Sequence, residues 1–195
     1  IGAIEKGSNE LFKEATIYIG RIENEYLEGK RTRKVFWGLH KLPKVQIDNK
    51  KVLIDDGQVF YIGNIKIEAI LVPGHTWGHL VYLIDDAYLF TGDTIWFGAD
   101  GGYAFLNNLA EDRKLQVKSL KRLEEIIRGK NLKLKIITGH TGWTDDIDFT
   151  FAHIDEICNS LRRKPKVRDP KAPYDGFDES EDTKENARKG FLEKC

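Results

Sequence analysis

Residues 71–94 read L-V-P-G-H-T-W-G-H-L-V-Y-L-I-D-D-A-Y-L-F-T-G-D-T, and they provide the framework for interpreting the rest of the chain. Two apolar runs, at 80–84 and 88–90, flank the sequence Asp85-Asp86-Ala87. Short β-branched and aromatic runs on either side of a polar turn predict a β-hairpin. Polar side chains stand immediately before and after this hairpin, so the stretch combines a buried sheet with part of a site.

Each of three polar side chains directly follows a glycine at the end of a predicted strand. His75 follows A-I-L-V-P-G, Asp93 follows Y-L-F-T-G, and His140 follows I-I-T-G. Glycine lets the backbone turn tightly there, so the three side chains can point into one shared rim. Imidazole and carboxylate are the usual zinc ligands besides thiolate, and a catalytic zinc site keeps one position open for water. Taken singly, each residue is more often a hydrogen-bonding or capping group than a ligand, and only the three together indicate a metal site.

The regions on either side add further strands and helices. Strands are predicted at 15–20, 52–54, 59–62, 65–69 and 132–137, from β-branched or alternating apolar residues. Helices are predicted after Ser8 and at 21–28 and 115–127, the last of these closed by Gly129. A final long helix is predicted to begin at Asp145 or Asp146 and to bury Ile147, Phe151, Ile154, Cys158 and Leu161. Residues 30–44 are predicted to form an irregular surface loop. Together these elements predict an α/β or α+β layered domain.

The composition of the 195 residues limits the classes of partner. Thirty-one basic residues balance 31 acidic ones, so a nucleic-acid partner, which requires a basic face, is not expected. No apolar run reaches the roughly 20 residues needed to cross a bilayer, and no signal peptide begins the sequence. We therefore expect a cytoplasmic protein without a membrane partner. The two cysteines, at 158 and 195, lack a metal-binding spacing.

The chain divides into two parts by composition. Residues 1–161 carry the apolar patterns of one domain, and residues 162–195 form a charged extension with several prolines and an acidic stretch. The extension is interpreted as a solvated face, with a homodimer contact as the alternative.

The motifs P-G-H-T-W-G-H, L-F-T-G-D-T and I-T-G-H-T-G, in this order, resemble those of the metallo-β-lactamase-fold hydrolases, and the lead-in D-D-G-Q-V-F-Y-I-G-N-I-K-I-E-A-I is also typical of that superfamily. The resemblance covers about residues 1–161 and is strongest to the glyoxalase II-like branch. It implies an αββα sandwich with a metal centre at one edge of its two sheets. It implies that His75, Asp93 and His140 are metal ligands and that Asp93 is the catalytic residue, which bridges two zinc ions. Iron or manganese is the alternative metal. The implied reaction is hydrolysis of a small-molecule thioester, ester or lactone by a zinc-bound hydroxide.

One motif of that superfamily, H-x-H-x-D-H, is absent from the sequence. The opening residues, I-G-A-I-E-K-G-S, resemble the stretch that comes directly after this motif in the superfamily, and the sequence contains no methionine. We therefore expect the front of the domain, with the remaining ligands, to precede Ile1. Two alternatives stay open: an iron-containing redox relative, and a non-catalytic scaffold of the same fold.

The remaining histidines and aromatic residues have less specific interpretations. His79 is expected to form hydrogen bonds around the site, His40 to lie at the surface, and His153 to be structural. The aromatic residues after the second and third motifs either wall a substrate pocket or pack the loop against the sandwich edge; they are Trp96, Phe97, Tyr103, Phe105 and Trp143.

Overall fold

A computed structural model describes residues 12–35, 40–41, 47–105 and 109–157. The predicted helix after Ser8 and the charged extension at 162–195 lie outside the described residues. The strands are β1 (Ile17–Gly20), β2 (Lys34–Val35), β3 (His40–Lys41), β4 (Lys51–Ile54), β5 (Val59–Ile62), β6 (Ile65–Leu71), β7 (Leu80–Ile84), β8 (Tyr88–Gly92), β9 (Ile95–Phe97), β10 (Gly102–Ala104), β11 (Lys135–Thr138), β12 (Trp143–Thr144) and β13 (His153–Ile157). The helices are α1 (Arg21–Leu27), α2 (Arg113–Lys130) and α3 (Ile147–Phe151).

The largest sheet has six strands in the order β12-β11-β8-β7-β6-β5. Strands β5 to β8 form an antiparallel meander, and β11 pairs with β8 in parallel. The hairpin predicted around Asp85 and Asp86 is confirmed, and both residues adopt left-handed backbone angles, with φ of 49° and 51°. A tight turn with two such residues matches the right-handed twist of the flanking strands, and aspartate is among the residues that tolerate it.

Helix α2 covers one face of the six-stranded sheet and supplies most of the core. Its N-cap, Asp112, accepts a hydrogen bond from the main-chain N–H of Leu115 at 2.9 Å. The apolar residues of α2 and the facing sheet residues form one buried cluster, which includes Ile70, Val81, Leu83, Leu89, Leu120, Leu123, Ile127 and Ile136. The helix continues past Gly129 to Lys130 and is capped by Asn131 in a left-handed conformation, which asparagine tolerates as glycine does.

The other face of the large sheet meets the small parallel sheet of β1 and β4. The ring of Tyr18 stacks on that of Phe60 with centroids 5.3 Å apart. Gly20 lies so close to Leu80 that a Cβ there would come within 2.9 Å of the leucine side chain. Tyr18 and Gly20 of β1 therefore face the large sheet. Because successive residues of a strand point to opposite faces, Ile17 and Ile19 face away from it.

Helix α1 covers that second face of the small sheet. Its buried Leu27 packs with Ile47, and Ile17 and Ile19 of β1 pack against the pair. The layers therefore follow the order α1, small sheet, large sheet and α2. This arrangement confirms the predicted α/β layered class and the αββα order of its layers.

The predicted long helix from Ile147 to residue 161 is wrong. Helix α3 begins after Asp146, which caps it, and ends at Phe151; the chain then forms β13. Strand β13 pairs in parallel with β10, and Ile154 is buried in the main core from this strand. The apolar spacing fitted a helix, but main-chain pairing with a neighbouring strand determines the conformation, which sequence periodicity alone does not reveal.

Two other findings complete the fold. The loop predicted at 30–44 contains a short antiparallel pair, β2 with β3, and the side chain of His40 lies outside the described part of the molecule. Among the described residues, no helix is both long and apolar enough to cross a membrane.

Candidate metal site

The three candidate ligands follow strands that run in the same direction. Strand β7 is antiparallel to both β6 and β8, and β8 is parallel to β11, so β6, β8 and β11 all end at one edge of the sheet. His75 follows β6, Asp93 follows β8, and His140 follows β11. The topology of the sheet therefore brings three residues from distant parts of the sequence to one edge.

Asp93 lies between the two histidines. Its Oδ1 is 3.2 Å from Nε2 of His140, and its Oδ2 is 3.8 Å from Nε2 of His75. The side chain of His75 is 5% exposed, whereas that of His140 is 56% exposed. The site therefore has a buried side at His75 and an open side at His140, with one carboxylate oxygen turned to each.

Burial and neighbouring charges set the protonation of these groups in different directions. Burial, followed by the positive charge of Arg33, lowers the pKa of His75 to about 3, so this imidazole is neutral at pH 7. The hydrogen bond to Asp93 raises the pKa of His140. Burial opposes ionisation of Asp93, but the hydrogen bond and positive charge of His140 outweigh it and lower the pKa of this carboxyl. The site thus combines a neutral imidazole with a carboxylate, the forms in which both bind metal ions.

Arg33 contacts the nitrogen of His75 that faces Asp93. Its Nη2 lies 2.8 Å from Nε2 of His75 and 3.0 Å from the carbonyl oxygen of Leu109. A guanidinium group only donates hydrogen bonds, so Nε2 of His75 is the acceptor and Nδ1 carries the proton. Nδ1 is buried and has no hydrogen-bond partner among the described residues.

The donor set fits zinc in its chemistry and, in part, in its spacing. Ligands at about 2.0–2.1 Å from a tetrahedral zinc ion lie roughly 3.3–3.4 Å from each other. The distance from Asp93 to His140 agrees with this separation, and the distance from Asp93 to His75 is slightly longer. Among the described residues, however, no His, Cys, Asp and Glu side chains form a ready group of three around one point. Zinc binding therefore requires Nε2 of His75 to exchange its bond with Arg33.

The glycines before the candidate ligands allow close backbone approaches as well as turns. A Cβ at Gly139 would lie 2.2 Å from Oδ1 of Asp93, and a Cβ at Gly74 would lie 2.3 Å from Cα of Gln116 in α2. Gly74 and Gly92 also have positive φ angles, of 138° and 57°. All three glycines were predicted for their turns; Gly74 also makes room for α2, and Gly139 for the carboxylate of Asp93.

The other two described histidine rings have structural contacts. Nε2 of His79 hydrogen-bonds the carbonyl oxygen of Thr91 at 2.8 Å, which agrees with the role expected for it around the site. The ring of His153 stacks on that of Tyr103, with centroids 4.9 Å apart.

The aromatic residues of the loops divide between the site and the core. Phe105 contacts the rings of His75 and His140, with centroids 5.2 and 5.9 Å away, and Trp96 lies 6.5 Å from His140. Phe97 is instead buried in the main core, and Trp143 lies under the amino group of Lys135. Of the aromatic residues of these loops that the structure describes, Phe105 and Trp96 contact the rings of candidate ligands and Tyr103 packs beside them; we call Phe105 and Trp96 the aromatic wall.

Several polar residues near His75 were not singled out from the sequence. Arg33 is one, and Glu23, Tyr26 and Glu111 are the others; they hold the loop that carries His75 by hydrogen bonds. None belongs to a motif or a characteristic spacing, because these residues are far from His75 in the sequence and approach it only in the folded protein.

The relatives found by comparison with known proteins include two hydrolases and a metallo-beta-lactamase fold-containing protein. A probable polyketide biosynthesis zinc-dependent hydrolase, BaeB, of Bacillus velezensis is 39% identical over 70 residues, which are 36% of this chain and 31% of the relative. The hydroxyacylglutathione hydrolase of Pelagibacter ubique is 29% identical over 133 residues, 68% of this chain and 52% of that protein. The metallo-beta-lactamase fold-containing protein ST1585 of Sulfurisphaera tokodaii is 32% identical over 93 residues, 47% of this chain and 34% of that protein.

These similarities cover only part of each relative. The chain spans between about a third and a half of the length of the three proteins. No family model matches the sequence. The layered α/β fold, the order of the three histidine and aspartate motifs along one sheet edge, and the relatives together support the assignment of the chain to the metallo-β-lactamase superfamily.

Proposed function

We propose that the protein is a metal-dependent hydrolase and that His75, Asp93 and His140 bind its zinc. The observation that carries this proposal is the position of Asp93, whose two carboxylate oxygens face Nε2 of His140 at 3.2 Å and Nε2 of His75 at 3.8 Å. Side chains from three strand ends lie next to one another there, although the three do not yet surround one point. The zinc-dependent hydrolase among the relatives supports the metal and the reaction class.

Zinc, when bound, supplies Lewis acidity that activates water at neutral pH and polarises a carbonyl group. The residues of the chain provide the frame for this chemistry. His75 offers a neutral, buried nitrogen, and Asp93 supplies negative charge between the two imidazoles. Half-exposed His140 lies on the side from which a substrate enters.

In this proposal the three residues provide ligands for a first ion, and Asp93 would bridge it to a second. The proposed second zinc ion needs further ligands, which the described residues do not group with these three. Iron and manganese remain the alternatives for the same nitrogen and oxygen ligands, and metal analysis of the purified protein distinguishes them.

We propose a small thioester, ester or lactone as the substrate, with an apolar or planar group beside the reacting carbonyl. The aromatic wall of Phe105 and Trp96 supports this part, because it places two aromatic rings beside His140, the more exposed histidine of the site. Aromatic side chains of this kind bind the apolar part of a ligand while the polar groups fix its orientation.

The test is metal content and hydrolysis of the full-length protein. Inductively coupled plasma mass spectrometry should find at least about one zinc per chain, and a panel of acyl thioesters, aryl esters and lactones should include a substrate. His75→Ala, Asp93→Asn and His140→Ala should each lose metal and activity. His153→Asn is the matched control, since this histidine stacks on Tyr103 and not on a candidate ligand, and it should retain both. A wild-type protein without bound metal, or three variants as active as the control, would contradict the proposal.

A further inference from the structure

The loop that carries His75 is attached to the rest of the molecule by side chains outside the candidate metal site. This loop connects β6 to β7, and we call residues 74–78 the histidine loop. The main-chain N–H of Trp77 donates to Oε2 of Glu111 at 3.2 Å. The hydroxyl of Tyr26 in α1 donates to the same carboxylate oxygen. One oxygen of Glu111 therefore joins the histidine loop to α1 and to the segment before α2.

Main-chain bonds attach the same segment to the histidine loop. The N–H of Glu111 donates to the carbonyl oxygen of His75 at 3.2 Å, and the N–H of Asp112 donates to that of Gly74 at 2.9 Å. The hydroxyl of Thr76 in the histidine loop donates to the carboxylate of Glu23 in α1. Residues 74 to 77 are thus each held by a hydrogen bond to α1 or to the start of α2.

The ring of His75 has few polar contacts of its own. Its Nδ1 has no partner among the described residues, and the hydrogen bond at Nε2 comes from the guanidinium of Arg33. A histidine that binds metal usually has its other nitrogen fixed by a hydrogen bond, and this fixes the direction of the ring. Here the direction of the ring depends instead on the backbone of the histidine loop and on the packing of Phe105.

We propose that Glu111, with Tyr26, is a positioning residue that fixes the histidine loop so that Nε2 of His75 faces Asp93. The proposal rests on the function proposed above, since it assigns the purpose of this hydrogen-bond network to metal binding. Tyr26 is suited to the role because its ring is buried and its hydroxyl donates to Glu111; burial, followed by this hydrogen bond, also raises the pKa of the hydroxyl. Loss of a group that orients a metal ligand weakens metal affinity by about 10–100-fold in metal sites generally.

The experiment compares full-length wild-type protein with Glu111→Ala, Glu111→Gln and Tyr26→Phe. Zinc affinity is measured by competition with a chromogenic chelator, and the cobalt(II) absorption spectrum reports the coordination geometry. Glu111→Ala should bind zinc about tenfold more weakly and change the cobalt spectrum. Glu111→Gln keeps an oxygen acceptor for both donors and should restore most of the affinity.

Two controls separate positioning from a loss of stability. Glu125→Ala removes an exposed glutamate of α2 and should leave zinc affinity unchanged. Leu123→Ala lowers stability through the main core, away from the histidine loop, and should also leave the cobalt spectrum unchanged. If Glu111→Ala fails to fold, Tyr26→Phe provides the result, because it removes one donor and retains the ring.

The outcomes distinguish this inference from the proposed function. Wild-type protein that binds zinc, with Glu111→Ala and Tyr26→Phe binding equally tightly, overturns the inference alone. Weak binding by Glu111→Gln to the same extent as Glu111→Ala also overturns it, because rescue by a retained acceptor is required. Wild-type protein that binds neither zinc nor cobalt overturns the proposed function and the inference together.

Discussion

Replacement of Arg33 by alanine should strengthen zinc binding, although it removes a residue from the site. The guanidinium donates to Nε2 of His75 at 2.8 Å, which is the nitrogen that must bind zinc in the proposed site. Metal binding therefore has to break this hydrogen bond and bring a dication close to a positive charge. In Arg33→Ala neither cost remains.

The size of the effect follows from the bond that is exchanged. A hydrogen bond that involves a charged group contributes about 1.5–3 kcal/mol, and about 1.4 kcal/mol corresponds to a tenfold change in Kd. The full contribution would change Kd by roughly 10–100-fold on that scale. Arg33 is partly exposed and also donates to Leu109, so it recovers part of this energy when His75 is released. We therefore expect zinc affinity to increase by about tenfold, at the low end of the range.

The assay titrates zinc into metal-free, full-length protein in competition with a fluorescent chelator. Arg31→Ala is the matched control, because it removes the same charge from the same loop but its guanidinium pairs with Glu25 at 3.0 Å. The double variant Arg33→Ala with His75→Ala should show no gain over His75→Ala, as expected if the effect acts through this imidazole. Unchanged or weaker zinc binding by Arg33→Ala, or an equal gain in Arg31→Ala, would refute the reasoning.

Other substitutions test the core and the site separately. Leu123→Ala, which truncates a fully buried side chain of α2, should lower the free energy of unfolding by about 2–5 kcal/mol in urea denaturation; a loss below about 1 kcal/mol would contradict the packing described. Gly139→Ala should weaken zinc binding while the protein remains folded, as judged by circular dichroism, because its Cβ would displace the Asp93 carboxylate; unchanged affinity would show that the carboxylate can move without cost. Gly129→Ala, at a helical position with open space around it, should raise the free energy of unfolding by about 0.5–1 kcal/mol and leave zinc binding unchanged, and a decrease would contradict it.

The strands were predicted best where local sequence and tertiary structure agree. The bounds of β5 and β7 match their predicted ranges, because apolar alternation and the adjoining turns both define them. The region after Asp146 shows the opposite case. Its apolar spacing fits a helix, yet the chain after Phe151 pairs with β10. The presence of a partner strand cannot be inferred from local periodicity.

The candidate site was predicted as far as its residues share a pattern. His75, Asp93 and His140 each follow glycine at a strand end, and the order of the strands brings them to one edge. Their ligation stays a prediction. The contacts of Arg33 and Glu111 with this site could not be predicted, because they depend on how loops far apart in sequence pass the histidine loop.

The close approach at two of the three glycines also has a consequence for how this protein tolerates mutation. A side chain at Gly74 would overlap the backbone of α2, and one at Gly139 would overlap the carboxylate of Asp93. In a selection for activity among random variants, these two positions should be as strongly depleted as those of the histidines themselves, although neither glycine has a side-chain atom to offer a metal. At these two positions, invariance in such a screen would then reflect the need for a residue without a side chain, not the need for a functional group.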